Sequence, residues 1–299
     1  MMVALLLWQV AAVAHALEIE KISDKLYALV GDMGQRSAEN LGNNATFGVV
    51  VTSDGVVLID PGASWKGAQR IEEAIHTITD QPVKVVINSG GQDHRWLGNG
   101  YFKAKGARII ASNAAIEDQR KRAAEQLTAL ASLVGESGMA ETVPLQADEG
   151  FDGTLEITLG GTTLRLIHVG PAHTPGDTLV WLPAEQVVYT GDVVYVDRLL
   201  GVMPYSSSRH WQEAFETITS LKPLHLVPGH GHVTTLAKAK AETFDYLAML
   251  RKQAGELIAT GAGMERAGEI DQTAFSHLLV YDEIKGRNAQ QVYSEMEWE

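Results

Sequence analysis

The chain contains no cysteine among its 299 residues. Disulfide bonds, thiolate zinc sites and cysteine nucleophiles are therefore excluded. Any metal ion must instead be bound by His, Asp or Glu. The absence of thiols also suits an oxidising compartment, where a stray cysteine would be a liability.

Positive charge is scarce as well. The 24 Lys and Arg residues face 37 Asp and Glu residues, which leaves a formal net charge of -13. A surface of this sign repels both nucleic-acid phosphates and anionic lipid, so we expect no nucleic-acid partner and no docking on an anionic membrane. Hydrophobic residues make up 45% and charged residues 20%, which is the balance of an ordinary globular protein.

Long apolar runs are missing except at the N-terminus, where residues Val3–Ala14 are interrupted only by Gln9. This run is too short to span a bilayer comfortably. Ala14-His15-Ala16 follows it and fits the small-x-small pattern of a signal-peptidase site. We therefore predict a signal peptide over residues 1–16, export to the periplasm or the medium, and no stable membrane insertion after cleavage.

Short apolar runs alternate with helical patterns along the rest of the chain. Helices are predicted at 65–79, 114–133 and 211–221, loops at 31–44 and 135–150, and mainly helical structure at 235–260 and beyond 273. Strands are predicted at 26–30, 45–51, 56–59, 83–88, 108–111, 155–159, 163–169, 178–182, 186–190 and 224–227. Two halves that each run from strands to a helix to a strand favour an α/β domain whose sheets are covered by helices.

Four segments with chemically versatile side chains follow predicted strands, where α/β proteins place their sites. Each segment is weak on its own, because an Asp-His pair in a loop, a His in a turn with Pro and Gly, and an Asp at a strand end are often structural. The four segments contain Asp93 with His94, then His173, then Asp192, then His230.

In this order and at these strand ends, the segments resemble the metallo-β-lactamase superfamily over residues 26–232. Leu58-Ile59-Asp60-Pro61-Gly62 matches an early turn of that superfamily. The segments Asn43–Phe47, Gly170–Asp177 and Pro228–Gly231 resemble exported zinc metallohydrolases associated with sulfur oxidation and quinoprotein maturation.

The resemblance implies a four-layer αββα sandwich over residues 17–234, followed by a C-terminal helical extension over 235–299. We expect this extension to pack on the domain. A homodimer interface is the alternative.

The family's first motif is H-x-H-x-D-H, and this chain departs from it. Ser89 and Gly91 stand where the family has its first two histidines. In the family these two residues bind the first metal ion together with a later histidine, which is His173 here. The resemblance therefore implies that the first metal site is degenerate.

The second metal site is complete by the same comparison. The resemblance implies Asp93, His94 and His230 as its ligands, with Asp192 as the bridging acid. Asp60 would orient ligands without binding metal. Two imidazoles and a carboxylate suffice for a catalytic zinc ion with one open position. We expect one zinc ion, with Fe or Mn as the alternative because no thiolate is present.

The predicted function is that of an exported, mononuclear metal-dependent hydrolase acting on an ester, amide or thioester of a small molecule. Asp93, Asp192 and His173 are its predicted catalytic residues. Arg95 either contacts an anionic substrate or forms a structural salt bridge. The main alternative is a non-catalytic, cleft-binding accessory protein of an exported redox system, and a third is a β-lactam-degrading enzyme.

Overall fold

The structure is a computed structural model that describes residues 16–299. The predicted signal peptide thus lies outside the described residues except for Ala16. Of the helices formed by residues 16–299, none combines the length and the apolar composition needed to cross a membrane.

A first sheet contains seven strands that lie side by side in chain order. The first four strands pair with one another in antiparallel fashion, and the fourth to seventh pair with one another in parallel. The strands are β1 (Glu18–Lys21), β2 (Leu26–Val30), β3 (Thr46–Thr52), β4 (Gly55–Ile59), β5 (Val83–Asn88), β6 (Arg108–Ser112) and β7 (Glu149–Phe151).

A second sheet contains five strands in the order β12-β11-β10-β9-β8. Only β11 and β12 are parallel. The strands are β8 (Thr154–Leu159), β9 (Thr162–His168), β10 (Thr178–Leu182), β11 (Val187–Tyr189) and β12 (His225–Val227).

Seven α-helices complete the fold of the described residues. They are α1 (Trp65–His76), α2 (Asn99–Ala104), α3 (Asn113–Met139), α4 (Ser208–Leu221), α5 (Leu236–Ala239), α6 (Asp245–Ala259) and α7 (Tyr281–Met296). Serine caps begin three of them, because the hydroxyls of Ser64, Ser112 and Ser207 each accept a hydrogen bond from a backbone N–H in the first turn.

Alternating side chains on the buried strands separate the layers. In β4, Val57 and Ile59 face the second sheet and join a core cluster with Leu166 and Val180. Val56 and Leu58 face the opposite way, into a cluster with α1 and α2. The outer face of the second sheet packs on α4, α6 and α7. The predicted four-layer αββα sandwich with C-terminal helices is confirmed.

Three short elements escaped the sequence prediction. β7 overlaps the last two residues of the predicted loop 135–150 and extends one residue beyond it. It was missed because its Glu-Gly-Phe sequence has no alternation and its pairing comes entirely from β6. β1 and α2 are four and six residues long, too short for a periodic pattern. The helix predicted at 114–133 continues to Met139, with a break at Gly135 (φ +80°).

The C-terminal helices share a core with the second sheet. Leu247, Leu250 and Ala254 of α6 are fully buried in one cluster with Trp211 and Phe215 of α4. Replacing Leu250 with Ala would remove three buried carbons from that cluster and leave a cavity.

Leu250→Ala is therefore expected to lower the free energy of unfolding by about 2–5 kcal/mol, measured by chemical denaturation. Leu133→Ala is the matched control, because Leu133 is half exposed. An equal loss in both variants, or a Leu250→Ala loss confined to a separate early transition, would contradict shared packing.

Candidate functional site

The site lies where the carboxyl ends of the two sheets' parallel strands meet. Asp60 follows β4, and a short 3-10 turn of Asp93–Arg95 follows the loop after β5. On the second sheet, a 3-10 turn of Gly191–Val193 follows β11, and His230 follows β12. Parallel neighbours end at the same edge, so each sheet presents two chemistry-bearing loops to the other.

Arg95 joins the two edges. Its side chain is fully buried. Nη1 donates to Asp60 Oδ2 (2.8 Å), while Nε and Nη2 form a two-pronged pair with Asp192 Oδ2 (3.1 Å) and Oδ1 (2.7 Å). Nη2 also donates to the Gly229 carbonyl (2.9 Å), and a Cβ on Gly229 would come within 2.7 Å of that nitrogen. Arg95 is thus a structural salt bridge, not a substrate contact.

Three potential ligands converge above Arg95. Ligand atoms of His94, Asp192 and His230 all lie within 4.8 Å of one another, and all three side chains are buried. His230 Nε2 is 3.2 Å from Asp192 Oδ1, and His94 Nε2 is 3.3 Å from Asp192 Oδ2. Among the described residues His94 Nε2 forms no hydrogen bond, because its contact with Asp192 lacks hydrogen-bond geometry.

Asp93 lies against a different partner. Its Oδ1 accepts hydrogen bonds from Arg36 Nη2 (2.5 Å) and Nε (3.1 Å) and is 3.0 Å from His94 Nδ1. Burial disfavours its charged form, but Arg36 and His94 outweigh burial and hold the pKa of Asp93 below its usual range. The structure therefore places Asp93 behind His94 and outside the three converging ligands.

Two neighbours, a hydrogen-bond donor and a hydrogen-bond acceptor, both lie within hydrogen-bond distance of Nδ1 of His94. Arg36 Nη2 lies 2.8 Å away and can only donate, whereas Asp93 Oδ1 can only accept. If Nδ1 carries the proton and donates to Asp93, the lone pair of Nε2 points at the converging site. A carboxylate behind a histidine is the arrangement that orients metal-binding imidazoles in proteins.

The protonation states suit metal binding. Burial disfavours the charged form of Asp192, but Arg95 and the two imidazoles hold its pKa well below the usual range, so it is a carboxylate. Burial lowers the pKa of His230 well below its usual range despite Asp192 nearby. An ionised carboxylate and a neutral imidazole are the forms that bind metal ions.

One divalent ion fits these residues. The donor set of two imidazoles and a carboxylate is typical of catalytic zinc sites, and the unpartnered Nε2 of His94 faces it. Zinc, iron and manganese all accept this set.

A second ion does not fit. Ser89 Oγ donates to Asp60 Oδ2 (2.7 Å), and Gly91 has no side chain. A Cβ on Gly91 would lie 1.8 Å from Asp118 Oδ2. Asp118 is held there by an ion pair with Arg122, which also donates to the Gly91 carbonyl (3.0 Å). The space of the first metal site is filled by this pair and by the Ser89–Asp60 bond.

His173 lies in the same cleft but apart from the ligand cluster. Its ring contacts the rings of Tyr195, Tyr205 and Trp211, with centroids 5.3–6.5 Å away. Nδ1 is buried without a hydrogen-bond partner among the described residues. Burial, aided by neighbouring cations, lowers the pKa of His173 to about 4, so its imidazole is neutral at physiological pH.

The cleft opens into a cavity of about 130 Å³. His94, His173 and His230 line it from one side. Its other walls include three arginines that the sequence did not single out, Arg36, Arg198 and Arg287. Arg36 lies in a polar loop, where no sequence pattern distinguishes it from other polar residues. Arg198 lies within a mainly apolar, buried stretch from Val193 to Val202, and its charge there could have identified it as a candidate site residue.

Comparisons with known proteins agree with this geometry. The family model for the metallo-beta-lactamase superfamily matches residues 42–230. A metallo-beta-lactamase type 2 from Bacteroides fragilis is 22% identical over 239 residues, which are 77% of this chain and 85% of that protein. The alpha subunit of 2,4-dinitroanisole O-demethylase from Nocardioides sp. (strain JS1661) is 25% identical over 179 residues, 59% of this chain and 49% of that protein.

Among solved structures, a metallo-beta-lactamase from Pontibacter korlensis is similar, with a TM-score of 0.60 and 21% identity over 78% of this chain and 99% of that chain. This likeness shows the fold alone. The resemblance inferred from the sequence motifs is confirmed, while the association with sulfur oxidation or quinoprotein maturation stays a prediction.

Arg95→Met is expected to lower the free energy of unfolding by about 3–5 kcal/mol, because Asp60 and Asp192 would remain buried without their counter-ion. Chemical denaturation measures the loss. Arg165→Met is the control, since Arg165 is half exposed and lies 3.6 Å from Glu156, and such exposed pairs contribute about 0–1 kcal/mol. Similar losses in the two variants would argue against the bridging role of Arg95.

Restoring the two family histidines tests the filled first site. Ser89→His/Gly91→His alone should gain no metal equivalent over the parent chain, because Asp118 and Arg122 fill the space. Adding Asp118→Ala and Arg122→Ala should bring one further equivalent, measured by elemental analysis of the purified proteins. A gain in the double variant itself would show that the pair does not block the site.

Proposed function

Because the chain belongs to the metallo-beta-lactamase superfamily, we propose that it is a hydrolase that uses one divalent metal ion, zinc in the first instance, to cleave an ester, amide or thioester. The observation that carries this proposal is the convergence of His94, Asp192 and His230 within 4.8 Å, with His94 Nε2 unpartnered. When bound there, the ion supplies Lewis-acid polarisation and a nucleophilic water at neutral pH.

The residues of the site have three roles: to bind the ion, to position its ligands and to form hydrogen bonds with the reactants. His94, Asp192 and His230 hold the ion. Asp93 positions His94 through Nδ1, and Arg95 fixes the carboxylate of Asp192 in one orientation. The neutral imidazole of His173 offers Nδ1 as a hydrogen-bonding group to the attacking water or to the substrate.

A cleft-binding protein without catalytic activity is the second candidate. The observation in its favour is the charge balance of the site. Asp93 is paired with Arg36, and Asp60 and Asp192 are paired with Arg95, so each of these three buried carboxylates already contacts an arginine without a metal ion. Elemental analysis separates the two candidates: about one equivalent of metal favours the hydrolase, and none in fully folded protein favours the binder.

A β-lactamase is a narrower form of the first candidate. It draws on the likeness to the metallo-beta-lactamase type 2 of Bacteroides fragilis. Fold membership does not settle the substrate, and this chain has Ser89 and Gly91 at two family ligand positions. Hydrolysis of a carbapenem and cephalosporin panel decides between a lactamase and an esterase-type hydrolase.

Ligand variants test the metal centre. Asp192→Asn and His94→Ala are expected to lose both the bound metal and hydrolysis of an activated ester such as 4-nitrophenyl acetate, because each removes one of three ligands. Asp93→Asn is expected to retain metal with affinity about 10–100-fold weaker, since Asp93 acts behind His94. Affinity is measured by competition with a chromogenic chelator.

His76→Ala is the matched control, because His76 is exposed at the end of α1 and belongs neither to the ligand cluster nor to the cavity lining. Full metal retention in Asp192→Asn would rule out the assigned ligand set. Complete loss in Asp93→Asn would make Asp93 a ligand itself.

Export is proposed on the N-terminal apolar run and the Ala14-His15-Ala16 pattern. Expression in a bacterial host followed by fractionation and N-terminal sequencing should recover a mature chain that starts at Leu17. Ala16→Asp should block this processing, whereas His15→Asp, at the variable position of the small-x-small pattern, should not move the cleavage point. An unprocessed chain that remains in the cytoplasm would contradict the proposal.

A further inference from the structure

The cavity beside the ligand cluster is lined by cations, although the chain has a formal net charge of -13. Arg36 is paired with Asp93. The other two lining arginines, Arg198 and Arg287, have no ion-pair partner within residues 16–299. Arg198 is buried, whereas Arg287 is exposed.

Arg198 is an almost completely buried guanidinium, 6% exposed. Nη1 donates to the Gly34 carbonyl (2.9 Å) and lies 3.4 Å from His230 Nδ1, but Nε has no hydrogen-bond partner in the part of the chain described. Asp192 and Glu283 act on Arg198 only from beyond ion-pair distance. A buried charge without a counter-ion is strongly unfavourable, so its retention points to a ligand that supplies the negative charge.

Arg287 lies on α7, one turn after Glu283. A Glu and an Arg four residues apart on a helix ordinarily pair with each other. Here Glu283 Oε2 instead accepts a hydrogen bond from Gln35 Nε2 (3.1 Å). The guanidinium of Arg287 lies beside Gly201 at the cavity, exposed to solvent and without a carboxylate partner.

We infer that Arg198 and Arg287 form an anion subsite that holds a carboxylate of the substrate next to the His94–Asp192–His230 cluster. Arg198 lines the cavity, and the planar fork of a guanidinium matches the two oxygens of a carboxylate. Arg287 adds a second cation at the mouth. As a statement about the substrate, this inference rests on the proposed hydrolase function.

The dimensions suit a small molecule. A buried cavity of about 150 Å³ accommodates benzene, and this cavity of about 130 Å³ is open to solvent. The family match ends at residue 230, whereas Arg287 belongs to α7. Half of the anion subsite therefore comes from the C-terminal helices, which gives these helices a part in substrate choice.

Paired esters test the subsite. The zinc-loaded protein is assayed on 4-nitrophenyl hydrogen glutarate and on 4-nitrophenyl methyl glutarate, whose far ends are a carboxylate and its neutral methyl ester. Both rates are corrected for spontaneous hydrolysis, because the free carboxylate of the anionic ester also attacks its own aryl ester. The wild type should favour the anionic ester in kcat/KM by at least about 10-fold, as one charge-assisted hydrogen-bond pair provides. Arg198→Met and Arg287→Met should each lower this ratio, chiefly by raising KM for the anionic ester.

Binding of glutarate, followed by calorimetry, forms a second arm that needs no turnover. It is measured with zinc-loaded and with chelated protein, because a carboxylate also binds zinc directly. Binding that persists without zinc and is lost in both arginine variants supports the subsite even if no ester is hydrolysed, in which case only the hydrolase proposal fails. Arg165→Met, outside the cavity, should match the wild type in every assay.

Thermal unfolding distinguishes a binding role from a structural one. Arg198→Met removes an unpaired buried charge, so its Tm should stay unchanged or rise by up to about 3 °C. A clear fall in Tm would mark Arg198 as structural and overturn its assignment. Equal kcat/KM for the two esters in the wild type, together with no glutarate binding to chelated protein, would overturn the subsite as a whole.

Discussion

The guanidinium of Arg95 is the interaction on which the cleft depends. It binds Asp60 and the Thr46 carbonyl on the first sheet and Asp192 and the Gly229 carbonyl on the second. Backbone hydrogen bonds also join the two sheets, such as Thr46 N–H to the Gly229 carbonyl (2.8 Å). Arg95 adds charged contacts to them, and it places Asp192 between His94 and His230 at the same time.

Two other arginines of the cleft lie beside positions that bind metal ions in the family motif. Arg36 neutralises Asp93, and Arg122 with Asp118 fills the space beside Gly91. Asp118 and Arg122 therefore lie where the resemblance places the first metal site, and Arg36 pairs with Asp93, which the resemblance assigns to the second site. One metal-sized cluster remains in the cleft, with a cationic cavity beside it.

The sequence predicted the fold and most of the site's members for a clear reason. Buried strands such as β4 and β5 are continuous apolar runs, and polar residues directly after them stand out. His94, Asp192 and His230 were all identified in this way and lie together. Arg36 and Arg287 could not be identified, because an arginine in a loop or on an exposed helix face has no local pattern. Asp93 was identified, but its ion-pair partner, Arg36, is 57 residues away in the sequence and could not be predicted.

What the sequence determined by itself is the architecture and the donor types. The order of apolar runs sets the layers, and the absence of cysteine restricts any metal centre to nitrogen and oxygen ligands. Only the tertiary structure decided which donors converge and which are taken. A carboxylate or an imidazole forms a hydrogen bond only with a group that lies within about 3 Å of it. The loops of two sheets and a C-terminal helix set the distances between these groups. No local sequence pattern predicts those distances.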